Sequence, residues 1–413
     1  MNTVLDRLKG LRFSRGTWVS LRRSVSFRRG VCIAGFAALA LIFAFSLPDP
    51  LFRVYYSPVL YDVRGEFLGA MVALDGQWRF PPEPAVNEKF AAAVMEYEDR
   101  RFRYHPGVDP AAIGRAFIQN VRARRVVSGG STLTMQTVRI MRGQPRRTLF
   151  EKVLEAVLAL RLEIGCSKDE ILALYAANAP FGGNVVGLEA AAWRWFGRSA
   201  DELSWAEAAT LAVLPNGPSL VHPGRNRDTL GIKRDALLDR LSARGYFDGE
   251  TLILAKAEPL PGEPKPLPRF APHLLSRMVR EQGGAASFRG DQSGGKIGGA
   301  GARIGTTLDR TIQERAQSIM NRWSGRFFGN GIMNGACLIM DTRTGAAAAY
   351  VGTVDSPAAA DVEIVTARRS SGSILKPFLY AAMLDGGYIL PTSLVSDIPT
   401  RVGSYIPENI TRN

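Results

Sequence analysis

The sequence predicts a mainly α-helical domain that follows one N-terminal transmembrane helix and precedes the start of an α+β domain. Three features carry this prediction. An uncharged apolar run covers residues 30–47, helical periodicity dominates residues 88–282, and alternating strand patterns begin near residue 304. At 413 residues the chain is also long for a single hydrophobic core, so more than one domain is expected.

The apolar run GVCIAGFAALALIFAFSL would extend about 27 Å as a helix, which is close to the thickness of a bilayer core. Residues 1–29 carry eight basic side chains and one acid, so the positive-inside rule predicts a cytoplasmic amino terminus and a periplasmic or otherwise extracytoplasmic remainder. The basic segment would contact anionic membrane lipids. A cleaved signal peptide is the alternative, because AFS at residues 44–46 is an acceptable cleavage site, although the apolar run is longer than a usual signal core.

Composition excludes several classes of partner and site. The formal net charge is +14, but no zinc spacing, RNA-binding motif or aromatic-basic platform accompanies it, so nucleic-acid binding is not predicted. The three cysteines, Cys32, Cys166 and Cys337, are far apart in sequence and form no CxxC pair. With only three histidines in the chain, no metal ligands are predicted.

The remaining elements follow in order along the chain. VLYDVRGEFLGAMV predicts two strands around a turn at residues 64–65, and segments such as EKFAAAVMEYEDRRF, RTLFEKVLEAVLALRLE and DEILALYAAN predict helices. A glycine-rich stretch at 283–303 is typical of a linker. After it, TTLDRTIQERAQSIMNRW predicts a helix and GACLIMDTRTGAAAAYVG two strands, so a second domain is expected over 304–413.

One helix has two distinct faces. Its apolar residues recur at helical spacing and predict a buried stripe made of Leu149, Val153, Ala156, Val157 and Leu160. Lys152 and Glu155 lie three residues apart on another face, which is free to line a binding cleft.

Four separated stretches carry the functional signal: EDRRFRYHPG at 98–107, GGSTLTMQT at 129–137, EKVLE at 151–155 and NAPFGGNVVGLEAAAWRWFG at 178–197. Their order and spacing resemble the glycosyltransferase family 51 domain of class A penicillin-binding proteins. The resemblance covers about residues 55–280, and APFGG and LAVLPNGPS look most like the penicillin-binding protein 1C branch.

The resemblance implies a lysozyme-like domain over residues 51–282 that polymerises lipid II into β-1,4-linked glycan strands and releases polyprenyl pyrophosphate. Glu98 would be the general base that deprotonates the sugar 4-hydroxyl, and a stable pyrophosphate leaving group needs a cationic clamp more than a strong acid. Glu155 would support the donor sugar or a divalent ion, and Asp99 would support catalysis. The resemblance implies a substrate-binding set of Phe102, His105, Ser131, Thr132, Thr134, Gln136, Lys152, Asn178, Gly182 and Gly183.

By analogy with inverting glycosidases, Glu98 and Glu155 are expected about 6.5–9.5 Å apart. The sequence leaves open whether Mg²⁺ or Mn²⁺ assists the reaction and whether other cell-wall synthesis proteins bind. One departure from the family is Glu151, which stands where an arginine is usual and removes a cation from the expected clamp. Arg146 or Arg147 is the expected substitute.

The motif SILK places Ser373 and Lys376 one helical turn apart, which suits a nucleophile and its activating amine. RRSSGSILKPFLYAAMLDGG resembles the start of a penicillin-binding transpeptidase domain. The family's Ser-x-Asn and Lys-Thr/Ser-Gly elements do not occur between 377 and 413. The sequence is then a truncated product or part of a longer protein, and a transpeptidase in this chain is expected to be inactive, without strong fluorescent-penicillin labelling at Ser373.

Two alternatives stand beside the polymerase hypothesis. A lytic hydrolase on the same framework would release fragments from finished glycan without needing lipid II. A catalytically weak scaffold would bind glycan strands or other cell-wall proteins, and Glu151 together with the incomplete second domain favours it.

Overall fold

The computed structural model describes residues 31–82, 85–125, 129–216, 226–284, 288–292, 302–355, 362–394, 401 and 403–404. The chain divides into two compact units, Met1–Val365 and Thr366–Asn413. The basic segment 1–29 and residue 30 lie outside the described residues.

Residues 31–44 form the first helix, α1, within the predicted transmembrane segment. Its side chains are exposed, including Phe36 and Phe45 just beyond its end. The Arg161 guanidinium donates to the Ala44 carbonyl over 3.0 Å and so ties the end of α1 to a later helix. Among the residues that the structure describes, no helix is both long enough and apolar enough to cross a membrane.

Short strands follow α1. They are β1 (Phe52–Tyr55), β2 (Val59–Tyr61) and β3 (Phe67–Ala70). β2 and β3 pair antiparallel around the predicted turn, where the Asp62 carboxylate accepts from the amides of Arg64 and Glu66. The predicted hairpin is therefore confirmed. Its turn is stabilised by a side-chain carboxylate that accepts hydrogen bonds from backbone amides.

Helices make up most of the first unit. Their bounds are α2 (Glu88–Glu98), α3 (Pro110–Ala123), α4 (Leu133–Met141), α5 (Leu149–Gly165), α6 (Lys168–Asn178), α7 (Leu188–Trp195), α8 (Trp205–Val213), α9 (Arg227–Ala243), α10 (Gly249–Ala257) and α11 (Pro272–Glu281). Polar side chains begin them: Thr132 caps α4, Thr148 caps α5, and capping boxes start α6 at Ser167 and α8 at Ser204. These caps satisfy amides that the first helical turn leaves without a partner.

The centre of this unit is α6, whose residues from Ile171 to Asn178 are all buried. α4, α5 and α7 pack around it. Alanines at 173, 176 and 177 leave room for the surrounding helices to approach closely, while Tyr175 fills the core with a large aromatic ring.

The glycine-rich stretch contributes strands at its ends. β4 (Arg289–Gln292) pairs antiparallel with β1, and β5 (Arg303–Gly305) pairs parallel with β2. Phe288, Ala302 and Ile304 are buried in an apolar cluster with Leu60 and Leu68, and this burial outweighs the flexibility that the glycines predicted. Residues 293–301 of the predicted linker lie outside the described residues.

The segment after β5 packs within the first unit. It contains α12 (Arg310–Phe327) and the hairpin of β6 (Cys337–Met340) and β7 (Ala347–Val351), as the sequence predicts. Buried Gln313 donates to the carbonyls of Phe270 and Tyr350 and accepts from the Tyr350 amide. These contacts join α12 to β7 and to Phe270, which lies just before α11, while a domain boundary near 304 stays a prediction.

The second unit is described through 366–394 and a few later residues. A short 3-10 turn at Gly372–Leu375 leads into α13 (Lys376–Asp385). Its side chains are largely exposed within the described part of the unit.

Arg234 joins two helices of the first unit. Its buried guanidinium donates to the carbonyls of Glu258 (2.7 Å) and Lys256 (3.0 Å), and so joins α9 to the end of α10. Arg234→Met should lower the free energy of unfolding by about 2–3 kcal/mol, because the carbonyls of two partly buried residues lose a charged donor. Thermal and urea unfolding of the full chain measure this. The exposed Arg315→Met is the matched control, and equal stability of both variants would contradict the assigned role.

Candidate active site

Glu98 is the last residue of α2, a helix whose apolar face packs against α8 and α9. Its carboxylate is held from one side by α4, because the Gln136 side-chain amide donates to Oε2 over 2.8 Å. The other oxygen, Oε1, is buried and accepts no hydrogen bond from any residue that the structure describes. The side chain as a whole retains partial exposure. Glu98 therefore combines a fixed orientation with incomplete hydrogen bonding.

The pKa of Glu98 is raised above its usual value of 4.5, chiefly because burial disfavours the charged carboxylate. The negative charge of Asp99 raises it further. The hydrogen bond from Gln136 and the positive charge of Lys233 on α9 act in the opposite direction and keep the ionised form accessible. A carboxylate in this state can accept a proton near neutral pH more readily than an exposed one.

Asp99 is buried directly beside Glu98, but its oxygens are occupied by the protein. They lie 2.9 and 3.1 Å from His105 Nε2, and Oδ2 also accepts from the Leu133 amide over 3.0 Å. The Gly107 amide donates to His105 Nδ1, which places the His105 proton on Nε2, facing Asp99. Asp99 and His105 thus join the end of α2 to the start of α4.

The glycines of the first two motifs permit close backbone packing. Gly107 has a φ of +92°, and a Cβ there would lie 2.8 Å from the Ala159 carbonyl oxygen of α5. A Cβ on Gly130 would lie 2.9 Å from Ile113 Cα of α3. Thr132 then caps α4 and donates to the Gly107 carbonyl over 2.6 Å. Both motifs are consequently fitted against α3 and α5.

Several predicted substrate-binding residues lie behind this surface. Thr134 is fully buried and donates to Glu163 over 2.5 Å, and Lys168 donates to the same carboxylate over 2.7 Å. Phe102 is buried, and Lys168 Nζ lies 4.5 Å from the centre of its ring. Thr132, Thr134, Phe102 and His105 therefore support the site from the protein interior, whereas Ser131 and Gln136 are partly exposed.

α5 is oriented differently from the prediction. Leu149, Val153, Val157 and Leu160 are exposed, while Glu155 is buried together with Leu158, Ala159 and Leu162. The predicted buried stripe was wrong. The helix is apolar on more than one side, so periodicity alone could not decide which side faces the core. Lys152 is exposed, as expected for a residue that meets a ligand.

Glu155 lies among positive charges. Burial raises its pKa above the usual value, Glu151 raises it too, and Arg139, Arg142 and Lys152 lower it. Arg142 forms an ion pair with Glu151, the residue that departs from the family pattern. The cations that lower the pKa of the second glutamate are thus Arg139 on α4, Arg142 at its C-terminal cap, and Lys152. Arg146 and Arg147, the expected substitutes, are exposed and do not influence Glu155.

The last predicted group follows α6. Asn178 is buried and donates to the Leu174 carbonyl over 2.9 Å, so its amide completes the helix end. Gly182 and Gly183 lie in the turn after it, where the Phe181 amide donates to the Val185 carbonyl. Gly183 is exposed. This group shapes the turn next to the core helix.

Two residues near Glu98 were missed by the sequence analysis. The charge of Lys233 on α9 lowers the pKa of Glu98, and the charge of Glu98 raises the pKa of Tyr175 on α6. Neither belongs to a motif that the sequence analysis used for the site, and a lysine on a long polar helix or a tyrosine in an apolar helix gives no separate signal.

The residues do not fit a divalent cation. Among the described residues, no three His, Cys, Asp or Glu side chains gather into a group that could hold a metal ion. Two arginines and a lysine act on Glu155, and their positive charges disfavour a metal cation at this carboxylate.

Ser373 and Lys376 are both in the second unit. Ser373 lies in the 3-10 turn, Lys376 begins α13, and both side chains are exposed. Their order along one turn agrees with the sequence motif.

Comparison with known proteins identifies relatives. A family model described as "Transglycosylase" matches residues 71–242. Penicillin-binding protein 1C of Escherichia coli (strain K12) is 37% identical over 366 residues, which cover 88% of this chain and 45% of that protein. Penicillin-binding protein 1A of Aquifex aeolicus (strain VF5) is 33% identical over 306 residues, which cover 70% of this chain and 39% of that protein.

A crystal structure of penicillin-binding protein 1A from Haemophilus influenzae aligns with a TM-score of 0.30 at 18% identity, covering 71% of this chain and 33% of that chain. The chain spans less than half of the length of each of these relatives.

The raised pKa of Glu98 predicts a pH-dependent cost in stability. Because the folded state holds this proton more tightly, the free energy of unfolding should fall as pH rises from the unfolded pKa, near 4.5, to the raised folded pKa. Glu98→Gln removes the loss. The variant should unfold at a higher temperature than the parent at pH 7, by about 1 °C for each kcal/mol recovered in a chain of 413 residues, and the difference should disappear below about pH 4. Thermal unfolding across pH measures this.

Glu96→Gln is the matched control on the same helix. Glu96 is buried and forms ion pairs with Arg100 (2.8 Å) and Arg244 (3.2 Å), so its neutral variant should not gain stability at pH 7. If Glu98→Gln and the parent show the same stability at every pH, the unfavourable burial of the Glu98 charge is refuted.

Proposed function

Because the chain belongs to the class A penicillin-binding proteins and residues 71–242 form a transglycosylase domain, we propose that it is a peptidoglycan glycosyltransferase that joins lipid II into β-1,4-linked glycan strands. The observation that carries the proposal is the environment of Glu98. Burial raises the pKa of this carboxyl, one oxygen is oriented by Gln136, and Lys233 keeps the charged form accessible. These are the properties of a general base that works near neutral pH.

In the proposed reaction, Glu98 accepts the proton of the 4-hydroxyl on one sugar. The freed oxygen forms a bond to the anomeric carbon of the donor sugar, and the bond from that carbon to the pyrophosphate breaks. Polyprenyl pyrophosphate leaves with the electron pair. Attack from the face opposite the leaving group converts an α-linked donor into a β-1,4 product.

The leaving group requires stabilisation of negative charge, and Arg139, Arg142 and Lys152 supply it in the proposal. All three lower the pKa of the buried Glu155, which supports a shared positive environment at this glutamate. The ion pair with Glu151 occupies one nitrogen of the Arg142 guanidinium. A guanidinium has five N–H donors and can bind a carboxylate and a phosphate together. Glu155 would hold these cations in position and would stand opposite Glu98 across the reacting sugars.

We place the chain at the cytoplasmic membrane, with the glycosyltransferase domain on the outer side. The uncharged run at 30–47, the helix over 31–44 and the basic sequence before it support a single anchor. Such an anchor would keep the domain near lipid-linked substrates. We further propose that residues 304–413 belong to a penicillin-binding transpeptidase domain, with Ser373 as nucleophile and Lys376 as its activating amine.

Conversion of labelled lipid II to polymer tests the proposal. The detergent-solubilised parent chain and Glu96→Gln should form polymer, and Glu98→Gln should lower the rate at least about 100-fold, since a general base typically contributes 10²–10⁴-fold. Polymer from Glu98→Gln at the parent rate would contradict the role of the base. A folded parent that makes no polymer would favour a glycan-binding scaffold, and release of fragments from finished glycan would favour a hydrolase.

The clamp predicts a difference between neighbouring arginines. Arg142→Met should raise KM for lipid II about tenfold, because a charged hydrogen bond to the pyrophosphate is lost. Arg146→Met should change KM less than about twofold. Arg146 is exposed, and it is not among the charged groups that shift the pKa of Glu155. Initial rates across lipid II concentrations measure both. A larger effect from Arg146→Met would show that the clamp is wrongly assigned.

A further inference from the structure

Tyr175 places a polar atom in the middle of the helical core. Its side chain is fully buried, and its hydroxyl has no hydrogen-bond partner among the described residues. The surrounding positions of α6 are apolar, and α6 packs against α4, the helix that carries Gln136. A phenylalanine would fill this core equally well without the cost of an unpartnered hydroxyl, so the hydroxyl calls for a separate explanation.

Glu98 supplies the complementary atom. Gln136 occupies Oε2, while Oε1 is buried without a partner among the described residues. Gln136 is on α4, and α4 packs against α6, the helix that carries Tyr175. In agreement with this packing, the charge of Glu98 raises the pKa of Tyr175, after burial itself. The tyrosine therefore stays protonated and can only act as a donor toward the carboxylate.

An acceptor and a donor left unpartnered in the same interior are seldom independent. Each would cost about 1–3 kcal/mol if it stayed unsatisfied. Buried polar groups that do not reach each other directly are commonly joined by an internal water, which makes about three hydrogen bonds. A water between Tyr175 and Glu98 would satisfy both atoms.

We propose that Tyr175 is a positioning residue for Glu98: through one bound water, its hydroxyl donates to Oε1 and fixes the carboxylate in the orientation in which it accepts the sugar proton. This inference rests on the proposed function. Gln136 and the Tyr175 water would hold the two oxygens from α4 and α6, so that the side chain cannot rotate as substrate arrives.

The charged groups around Glu98 set the expected effect of losing this link. Asp99 on the same segment opposes ionisation, and Lys233 on α9 favours it. Removal of the Tyr175 hydroxyl takes away a hydrogen bond to the ionised form. The pKa of Glu98 should then rise further, and a larger share of the enzyme should hold the base in its protonated, inactive form.

Tyr175→Phe tests the inference through the pH dependence of lipid II polymerisation. The acidic limb of kcat/KM should move to higher pH, with a loss of about tenfold at pH 7 that is partly recovered at pH 9. Thr210→Val is the matched control, because it removes another buried hydroxyl, which donates to the Ala206 carbonyl over 2.7 Å. The control should keep the parent pH profile. An unchanged profile for Tyr175→Phe would overturn the inference.

A stability measurement separates this inference from the proposed function. In the Glu98 chain, Tyr175→Phe should lower the unfolding temperature more at pH 8 than at pH 5, because only the ionised carboxylate gains strongly from the donor. In the Glu98→Gln chain, the effect of Tyr175→Phe should not depend on pH. This comparison holds even if the parent makes no polymer. A pH-independent effect in both backgrounds would refute the coupling.

Discussion

The arrangement of the site depends on the contacts of the buried Asp99 carboxylate with His105 and Leu133. The carboxylate lies 2.9 Å from His105 Nε2 and accepts from the Leu133 amide over 3.0 Å, so it joins the end of α2 to the first turn of α4. Gln136 follows Leu133 by one helical turn and meets Glu98, the neighbour of Asp99. The Gly107 amide donates to His105 Nδ1, and the Thr132 hydroxyl donates to the Gly107 carbonyl, so both residues extend the same network. Glu98, the proposed base, is consequently oriented by the partly exposed Gln136, whose helix is held in place by the buried Asp99, His105 and Thr132.

Burial raises the pKa of both Glu98 and Glu155, but different neighbouring groups oppose this effect at the two glutamates. The pKa of each is raised first by loss of water. Around Glu98 the compensation comes from one amide and one lysine, which suits a group that must gain a proton. Around Glu155 it comes from two arginines and a lysine, which suits a group that stays charged and holds cations. In the proposed function, this difference in neighbours, rather than in residue type, distinguishes the two roles.

Local patterns in the sequence were sufficient for much of this structure. The hairpin of β2 and β3, the helix α12 and the hairpin of β6 and β7 are confirmed, because each depends on residues close in sequence. The face of α5 was predicted wrongly, since Leu158 and Leu162 offer a second apolar side and only tertiary packing selects between them. β4 and β5 pair with strands more than 200 residues earlier, which no local pattern reveals. The same limit applies to Lys233 and Tyr175, whose relation to Glu98 exists only in the folded chain.

The central claim is that Glu98 is a base with a raised pKa, and direct titration of its carboxyl group tests it most simply. The full chain labelled with ¹³C at glutamate side-chain carboxyls, compared with Glu98→Gln to identify the resonance, would give this pKa by NMR in detergent. The account predicts a midpoint above the usual 4.5. A midpoint at or below that value would contradict the account, because burial would then not have prepared Glu98 to accept a proton.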